Sequence, residues 1–551
     1  MSIFDAIDLS AIQDEQAREG ILLLLNLVEE QSQLIRTLQA ENQRLKDEIN
    51  RLKGEQGQPP IKPNVPPAPT NYSSEKERRQ PKLRAARRKR EAIPIDREVV
   101  LEVERALLPA DAEFKGYDEV VVQDLIVHTD NVLFRKAVYW SASENQSYRA
   151  ALPPGYQGGY GPGVRAMAIA LYFGGQMSSP KIRDYFQSMK VPVSLSTLEG
   201  WLVNDQESFH AEKDAVYEAG LRSSPWQHLD DTVTRIEGQN QYCHILCNPL
   251  YTAYRTLPHK DRLSILDVLR HGRERTFLLN AEALVYLERQ GLAASHREAL
   301  WRSLPHDLTL DEITVNRLLN EQLPGLGPQQ RKNVRDALAV AAYHAQSEGP
   351  VIQLLIVDDA PQFRWVTQEL ALCWVHEGRH YKKLMPFVPL HRTLLDDFLG
   401  DFWDFYHALL AYREQPTPEK RTRLEADFDA LFSTVTGYTA LDERIAKSRA
   451  KKTALLRVLD HPAVPLHNNP AELGARARVR KQLVSFGPRS PAGIRAWDTF
   501  LTLAATTTKL GLSFYAYVLD RVSQTNQIPS LADLIDQRAH DLDLAAAWSP
   551  T

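Results

Sequence analysis

Two short apolar runs in this chain stop on paired acids. Trp226-Gln-His-Leu leads into Asp230-Asp231-Thr232, and Leu354-Leu-Ile-Val leads into Asp358-Asp359-Ala360. Far downstream, His467-Asn468-Asn469-Pro470-Ala471-Glu472 supplies a third acid at the start of a helical stretch. An apolar strand that ends on a carboxylate presents it at the edge of a sheet, where a cation can sit. Hard divalent cations take oxygen ligands. Two of them bridged by a shared carboxylate can activate an attacking oxygen and stabilise a leaving one. That is the chemistry of phosphoryl transfer on nucleic acid, in which the protein contributes position and charge rather than covalent steps.

Each acid alone has a plainer use. Asp230 or Asp231 can cap a turn, and Asp358-Asp359-Ala-Pro can form a turn or a helix N-cap. With Asn469 as N-cap and Pro470 at N1, Glu472 falls at N3, where it closes a capping box. The combination carries the chemical reading. Other chemistries find little support. Cys243-His-Ile-Leu-Cys247 has no second ligand pair near it in sequence, and Cys373 sits in an apolar run, so all three cysteines read as core residues. There is no Gly-rich phosphate loop ending in Gly-Lys-Ser/Thr and no evident Ser/His/Asp constellation.

The elements that must position the acids follow from pattern. Residues 226–258 read as three antiparallel strands, with Gly238-Gln-Asn240 and Asn248-Pro249 as turns. Val351–Val357 and Ala371–His376 read as two further strands. A helical block of about 260–349 separates the first two acids, and another of about 386–465 separates the second from the third. Upstream, Glu119 to Val127 and Val132 to Trp140 favour strands. Residues 164–203 read as three short helices, the last opening on a Ser196-Thr-Leu-Glu199 capping box; they are either a helix-turn-helix or a helical spacer.

The N-terminal part has a different character. Ile21, Val28, Ile35, Asn42 and Ile49 fall at a, and Leu24, Gln31, Leu38, Leu45 and Leu52 at d, of a heptad. β-Branched residues at a, Leu at d and one Asn in the seam favour a parallel two-stranded coiled coil; the alternative is a helix packed on its own chain. A Pro-rich linker follows at 56–72. Next comes a cationic run containing Arg78, Arg79, Arg84, Arg87, Arg88, Lys89 and Arg90, the form of an arm that contacts phosphates. Arg476, Arg478, Arg480 and Lys481 follow Glu472 at helical spacing, either as phosphate contacts or as a solvated face.

The totals set bounds. A chain of 551 residues holds several domains. Its 43% hydrophobic and 25% charged content suits soluble cores. The formal net charge of −4 hides strong segregation. No apolar run has the length of a membrane span or the form of a signal peptide, and three cysteines suit a reducing compartment.

In combination, these motifs resemble the bacterial transposases of the insertion sequence 66 group. His228-Leu-Asp230-Asp231-Thr232 is similar to the family's H-x-D-E-T segment, with Asp231 where the family has Glu. Ile356-Val-Asp358-Asp359-Ala360 resembles the strand bearing the second Asp. Cys373-Trp-Val-His376 with Arg379-His-Tyr resembles its C-W-x-H segment. Asn468-Asn-Pro-Ala-Glu472 resembles the N-N-x-x-E segment, and Ser490 through Tyr517 the closing helices.

The resemblance implies an α/β fold: an RNase H-like mixed-sheet catalytic core at 206–525, carrying the two helical insertions. Before it come a coiled coil at 1–55, the linker and arm at 56–92, a small β-rich module at 93–160 and a helical, helix-turn-helix-like domain at 161–205; a tail follows at 526–551. The β-rich module stands where the family has a zinc module, but no cysteine precedes Cys243, so zinc is not expected there. The catalytic acids implied are Asp230, Asp359 and Glu472, with Asp358 as the alternative to Asp359, holding two Mg²⁺ ions that Mn²⁺ could replace. His228 and His376 would flank them. The partners implied are transposon-end and target DNA and a second copy of the chain, in a bacterial cytoplasm at the nucleoid; helper proteins are left open. The alternatives are a DNA-binding relative that has lost cleavage and a nuclease that cuts without joining.

Overall fold

The computed structural model describes residues 12–53, 94–104, 109, 112–542 and 544. The cationic run with Arg78, Arg79, Arg84, Arg87, Arg88, Lys89 and Arg90 lies outside them. The fold is mixed α/β. Its centre is a five-stranded sheet in the order β5-β4-β3-β8-β9. Strands β3 (Trp226–Ile236), β4 (Gln239–Cys247) and β5 (Thr252–Leu257) form the expected antiparallel meander. Strands β8 (Leu354–Val357) and β9 (Glu369–Leu372) add to the other edge of β3, all three running parallel. β8 is apolar throughout and buried on both faces, as a central parallel strand must be.

Helices cover both faces. The Asn469–Ser485 helix packs on β3 and β4, and the Pro491–Lys509 helix packs on β5 and on the Glu207–Arg222 helix. A Cβ at Gly474 would lie 2.7 Å from Ile245 Cγ2, so this glycine sets how closely the first of these helices approaches the sheet. The insertion between β5 and β8 runs from Arg262 to Ala345 and is mostly helical. It also carries a two-stranded ladder, β6 (Phe277–Leu278) with β7 (Thr309–Leu310). The second insertion holds the helices from Pro389 to Asp460. Both share one contiguous core with the sheet.

Several expectations are corrected. The run from Ala371 is strand only to Leu372; Cys373 then caps the Trp374–Lys382 helix. In the 93–160 segment, the ordered ladder among the described residues is one exposed hairpin, β1 (Val138–Ser141) with β2 (Gln146–Arg149). Residues 119–127 are exposed and form no strand, because no partner strand covers their apolar side chains. The third short helix is capped by Ser194, whose side chain accepts from Thr197 N, not by Ser196. The 526–551 segment is not simply a tail: the Leu531–Leu542 helix packs on Glu207–Arg222 and buries Leu531 and Ile535 fully.

The N-terminal helix spans Glu15–Leu52 without a break. It docks on the second insertion through Leu25, Asn26 and Glu29. The buried Glu29 carboxylate accepts from Phe387 N (2.8 Å), Val388 N (3.0 Å) and His391 Nδ1 (3.4 Å). Asn26 Nδ2 donates to Gly437 O at 2.8 Å. The heptad seam is a different stripe. Leu24, Ile35, Leu38, Leu45, Ile49 and Leu52 remain exposed.

Candidate active site at the strand tips

The register decides which acids meet. Parallel pairing sets Trp226 beside Leu354 and His228 beside Ile356. Continued one pleat past the paired residues, that register brings Asp230 level with Asp358, which follows the last β8 residue, and Asp230 feels the charge of Asp358. Asp231 and Asp359 point to the other face, because side chains alternate along a strand. On β9 the same count brings Cys373 level with Asp358, and Cys373 N donates to Val357 O at 3.0 Å. The shared face is lined below the tips by Trp226, Leu354, Ile356, Ala371 and Val464.

Glu472 reaches this face from the first turns of the Asn469–Ser485 helix. It does not close a capping box, since the helix begins at Asn469 with Asn468 as N-cap, and no side-chain cap bond forms. Asn468 is occupied otherwise. Its Nδ2 donates to Leu229 O at 2.8 Å, its Oδ1 meets His228 Nδ1 at 3.1 Å, and its backbone N–H points at Cys373 Sγ at 3.3 Å. One buried amide therefore joins β3, the β9 tip and the helix that carries Glu472. Burial pushes His228 down to about 3, so it stays neutral and serves this bridge.

The electrostatics agree with the register. Burial, together with the charges of Asp358, Asp231 and Glu472, pushes Asp230 up to about 7, against a single opposing bond from Asp231 N. Glu472 Oε2 accepts from Arg379 Nη2 at 3.2 Å, and its Oε1 lies 3.6 Å from His376 Nδ1. Both Oε1 and Nδ1 are shielded from solvent and lack hydrogen-bond partners. Cys373 Sγ and the ligating atoms of His376 and Glu472 all lie within 4.8 Å of one another.

Asp359 is held elsewhere. Lys451 Nζ lies 2.6 Å from it and Arg364 Nη2 3.2 Å from it. Burial alone raises its carboxyl, but these two cations outweigh that and hold it below the usual range. Lys451 also pairs with the buried Glu377 at 3.0 Å, so Asp359 ties the β8 tip to the second insertion. Of the two expected alternatives, Asp359 is tied to Lys451 and Arg364, while Asp358 is the one whose charge, with that of Glu472, acts on Asp230. Asp231 meets Lys260 at 3.3 Å and Gln362 at 3.4 Å.

The basic residues after Glu472 divide. Arg476 and Arg480 are exposed. Arg478 and Lys481 are fully buried and cannot contact phosphate, which corrects the expectation for these two. Arg478 lies over the Trp497 ring at 4.3 Å. Lys481 lies over Tyr172 at 3.2 Å, donates to Met177 O at 2.9 Å, and is pushed by burial down to about 7. They tie the Glu472 helix to the Pro491–Lys509 helix through Trp497 and to the 170–177 segment through Tyr172 and Met177. Sequence reading also missed Asn468 as the bridge and Lys451 as the partner of Asp359; both come from distant segments with no local signal.

Carboxylate oxygens are the ligands a hard cation takes. Burial first, and the charges of Asp358, Asp231 and Glu472 after it, raise the Asp230 carboxyl, while Glu472 Oε1 lacks a hydrogen-bond partner; among the described residues the ligand atoms found within 4.8 Å of one another are those of Cys373, His376 and Glu472. No described helix is long and apolar enough to cross a membrane. No family model and no solved structure matches the chain. It is 33% identical over 324 residues to the uncharacterized protein y4jO of Sinorhizobium fredii, an alignment covering 58% of this chain and 99% of that one. The chain belongs to the same family as that protein.

Proposed function

We propose that the chain is a DNA transposase of the acidic-triad type, which cleaves at the ends of a mobile element and transfers the freed strand to target DNA. The observation that carries this reading is that Asp230, at the tip of a mixed sheet, feels the charges of Asp358 and Glu472, drawn from segments separated by two helical insertions. The antiparallel meander joined to parallel strands, with acids at the tips, supports reading the core as RNase H-like. The resemblance to insertion sequence 66 transposases in five separate motifs supports the substrate.

In this mechanism Asp230, Asp358 and Glu472 would hold Mg²⁺. The bound ions would supply an activated attacking oxygen and charge stabilisation at the leaving one. Asp230 must give up its proton to take part. Asn468 fixes the spacing between β3 and Glu472. Arg379 pairs with Glu472 at 3.2 Å, and a guanidinium there would be placed to meet a phosphate. His376 accepts from Arg379 Nη1 at 2.9 Å and orients it. The exposed heptad seam supports a homodimer, which would bring two such sites to two DNA ends.

A second reading, a relative that binds DNA without cutting, is favoured by Arg379 resting on Glu472 where a cation would go. One assay separates the two. Duplexes carrying the DNA that flanks the gene on each side are incubated with Mg²⁺ and wild type, Asp230→Asn or Asp358→Asn. Nicked ends and joined products from wild type alone support the transposase; equal signals from all three proteins refute it. Nicks without joined products favour a nuclease.

A further inference from the structure

A groove of about 590 Å³ opens next to Asp231, on the face of the β3 tip turned away from Asp230, between the β5 end, the Pro328–Ala345 helix and the loop that follows Asp359. Two of its lining residues, Lys260 and Gln362, touch Asp231, the neighbour of Asp230. Two aromatic rings line it, Trp365 and Tyr242. Trp365 has a φ of +67°, a conformation that is an outlier for a bulky residue and persists only where its surroundings impose it. They do impose it here. Tyr286 Oη donates to Trp365 O at 3.0 Å, Arg262 Nε donates to Arg364 O at 3.0 Å, and the Arg262 guanidinium lies 5.3 Å from the Trp365 ring centre.

The charges in the groove are sorted. Its two acids are used internally: Asp261 caps the helix at Arg262 through Ser264 N, and Asp336 pairs with Arg262 at 2.8 Å. The exposed cations are Lys260 and Lys332. The side-chain amides of Gln329 and Asn333 also line the groove. A held aromatic face, cations for a phosphate and amides for a base edge make up the recognition chemistry of a single-stranded nucleotide.

We propose that this groove holds an unpaired nucleotide of the DNA substrate beside the Asp231 face of the β3 tip, its base on Trp365 and its phosphate at Lys260 and Lys332. The helical insertion between the first two acids is thereby assigned a substrate-binding duty. The inference rests on the DNA reading of the site but not on cleavage, and its test needs no catalysis.

Full-length protein without Mg²⁺ is titrated into a labelled mixed-sequence single-stranded oligonucleotide and, separately, into a blunt duplex of the same length. Trp365→Leu, which keeps apolar volume but not a stacking face, is expected to weaken single-strand binding roughly tenfold. Trp365→Phe should keep most of it. Lys332→Gln should weaken it and flatten its salt dependence. Duplex binding should change little in all three. Wild-type affinity for the single strand in both Trp365→Leu and Lys332→Gln overturns the proposal, as does an equal loss on the duplex. Displacement of the oligonucleotide by equimolar free deoxynucleoside monophosphates also overturns it, in favour of a free-nucleotide site. If Asp230→Asn binds the single strand normally while no protein cleaves, the groove stands and the transposase reading falls.

Discussion

Asp230 and Asp358 each lie two residues beyond the paired His228 and Ile356 of two parallel strands, Asp358 just past the end of its own, and Asp230 feels the Asp358 charge. Asp359, one residue further, is turned to Lys451 and Arg364. This makes the paired acids unequal. Asp230→Asn and Asp358→Asn should each lower Mg²⁺-dependent cleavage on the order of 10³-fold, with the fold intact. Asp359→Asn should retain most cleavage but lose about 1–2 kcal/mol of stability, since Lys451 keeps Glu377 as its only close carboxylate. Cleavage assays and thermal melts of the three variants check this; loss of chemistry in Asp359→Asn alone would reverse the assignment.

How far the sequence carries such an assignment depends on the residue. The meander at 226–257 and the apolar run before Asp358 are legible because turn residues and uninterrupted β-branched and Leu residues mark them. The choice between Asp358 and Asp359 is not. A strand buried on both faces has no polar alternation, so nothing in Leu354–Val357 reveals which parity faces the cation. Helical spacing places Arg478 and Lys481 on one face but does not say that Trp497 and Tyr172 cover it. The short apolar run at Ala371–Val375 fits strand and helix equally, and only the contact of Trp374 with Leu455 and Leu466 turns it into a helix start.

The raised carboxyl of Asp230 sets a pH dependence. It ionises near 3.8 in the unfolded chain and near 7 in the fold. The fold therefore favours the protonated form, and the penalty for ionisation is absent below about 3.8, grows through the window and is complete above about 7. Metal-free protein should lose stability as pH rises through that window, and Asp230→Asn should remove the effect. Thermal melts should show Asp230→Asn more stable than wild type at about pH 8, by on the order of 2 kcal/mol, with the difference fading as pH falls towards 4. Cation binding needs the ionised form. The Mg²⁺ concentration for half-maximal cleavage should thus rise up to about tenfold per pH unit below 7.

Gly474 links packing to the position of Glu472. Its missing Cβ is the space that Ile245 Cγ2 fills, and Ile245 is the cross-strand partner of Asp230. Gly474→Ala should push the helix off the sheet and cost about 1–3 kcal/mol, with cleavage falling further than stability. Ile245→Ala added to Gly474→Ala should recover part of both. A double-mutant cycle on melting and cleavage measures this coupling; strict additivity would show that the helix does not move.

The N-terminal helix presents two stripes with separate duties. Leu25, Asn26 and Glu29 bind the second insertion, while Leu38 and Leu45 lie exposed on the heptad seam. Leu38→Glu with Leu45→Glu places like charges at d positions facing each other across a parallel dimer. Light scattering should then read a monomer with an unchanged melting temperature for the sheet core. Glu29→Ala should act the opposite way. It leaves Phe387 N and Val388 N without their acceptor, so it should lower the stability of the 386–465 insertion by about 1–3 kcal/mol and leave the dimer in place. A monomeric mass for wild type, or a dimer that survives both charged d positions, would show that the seam does not join two copies.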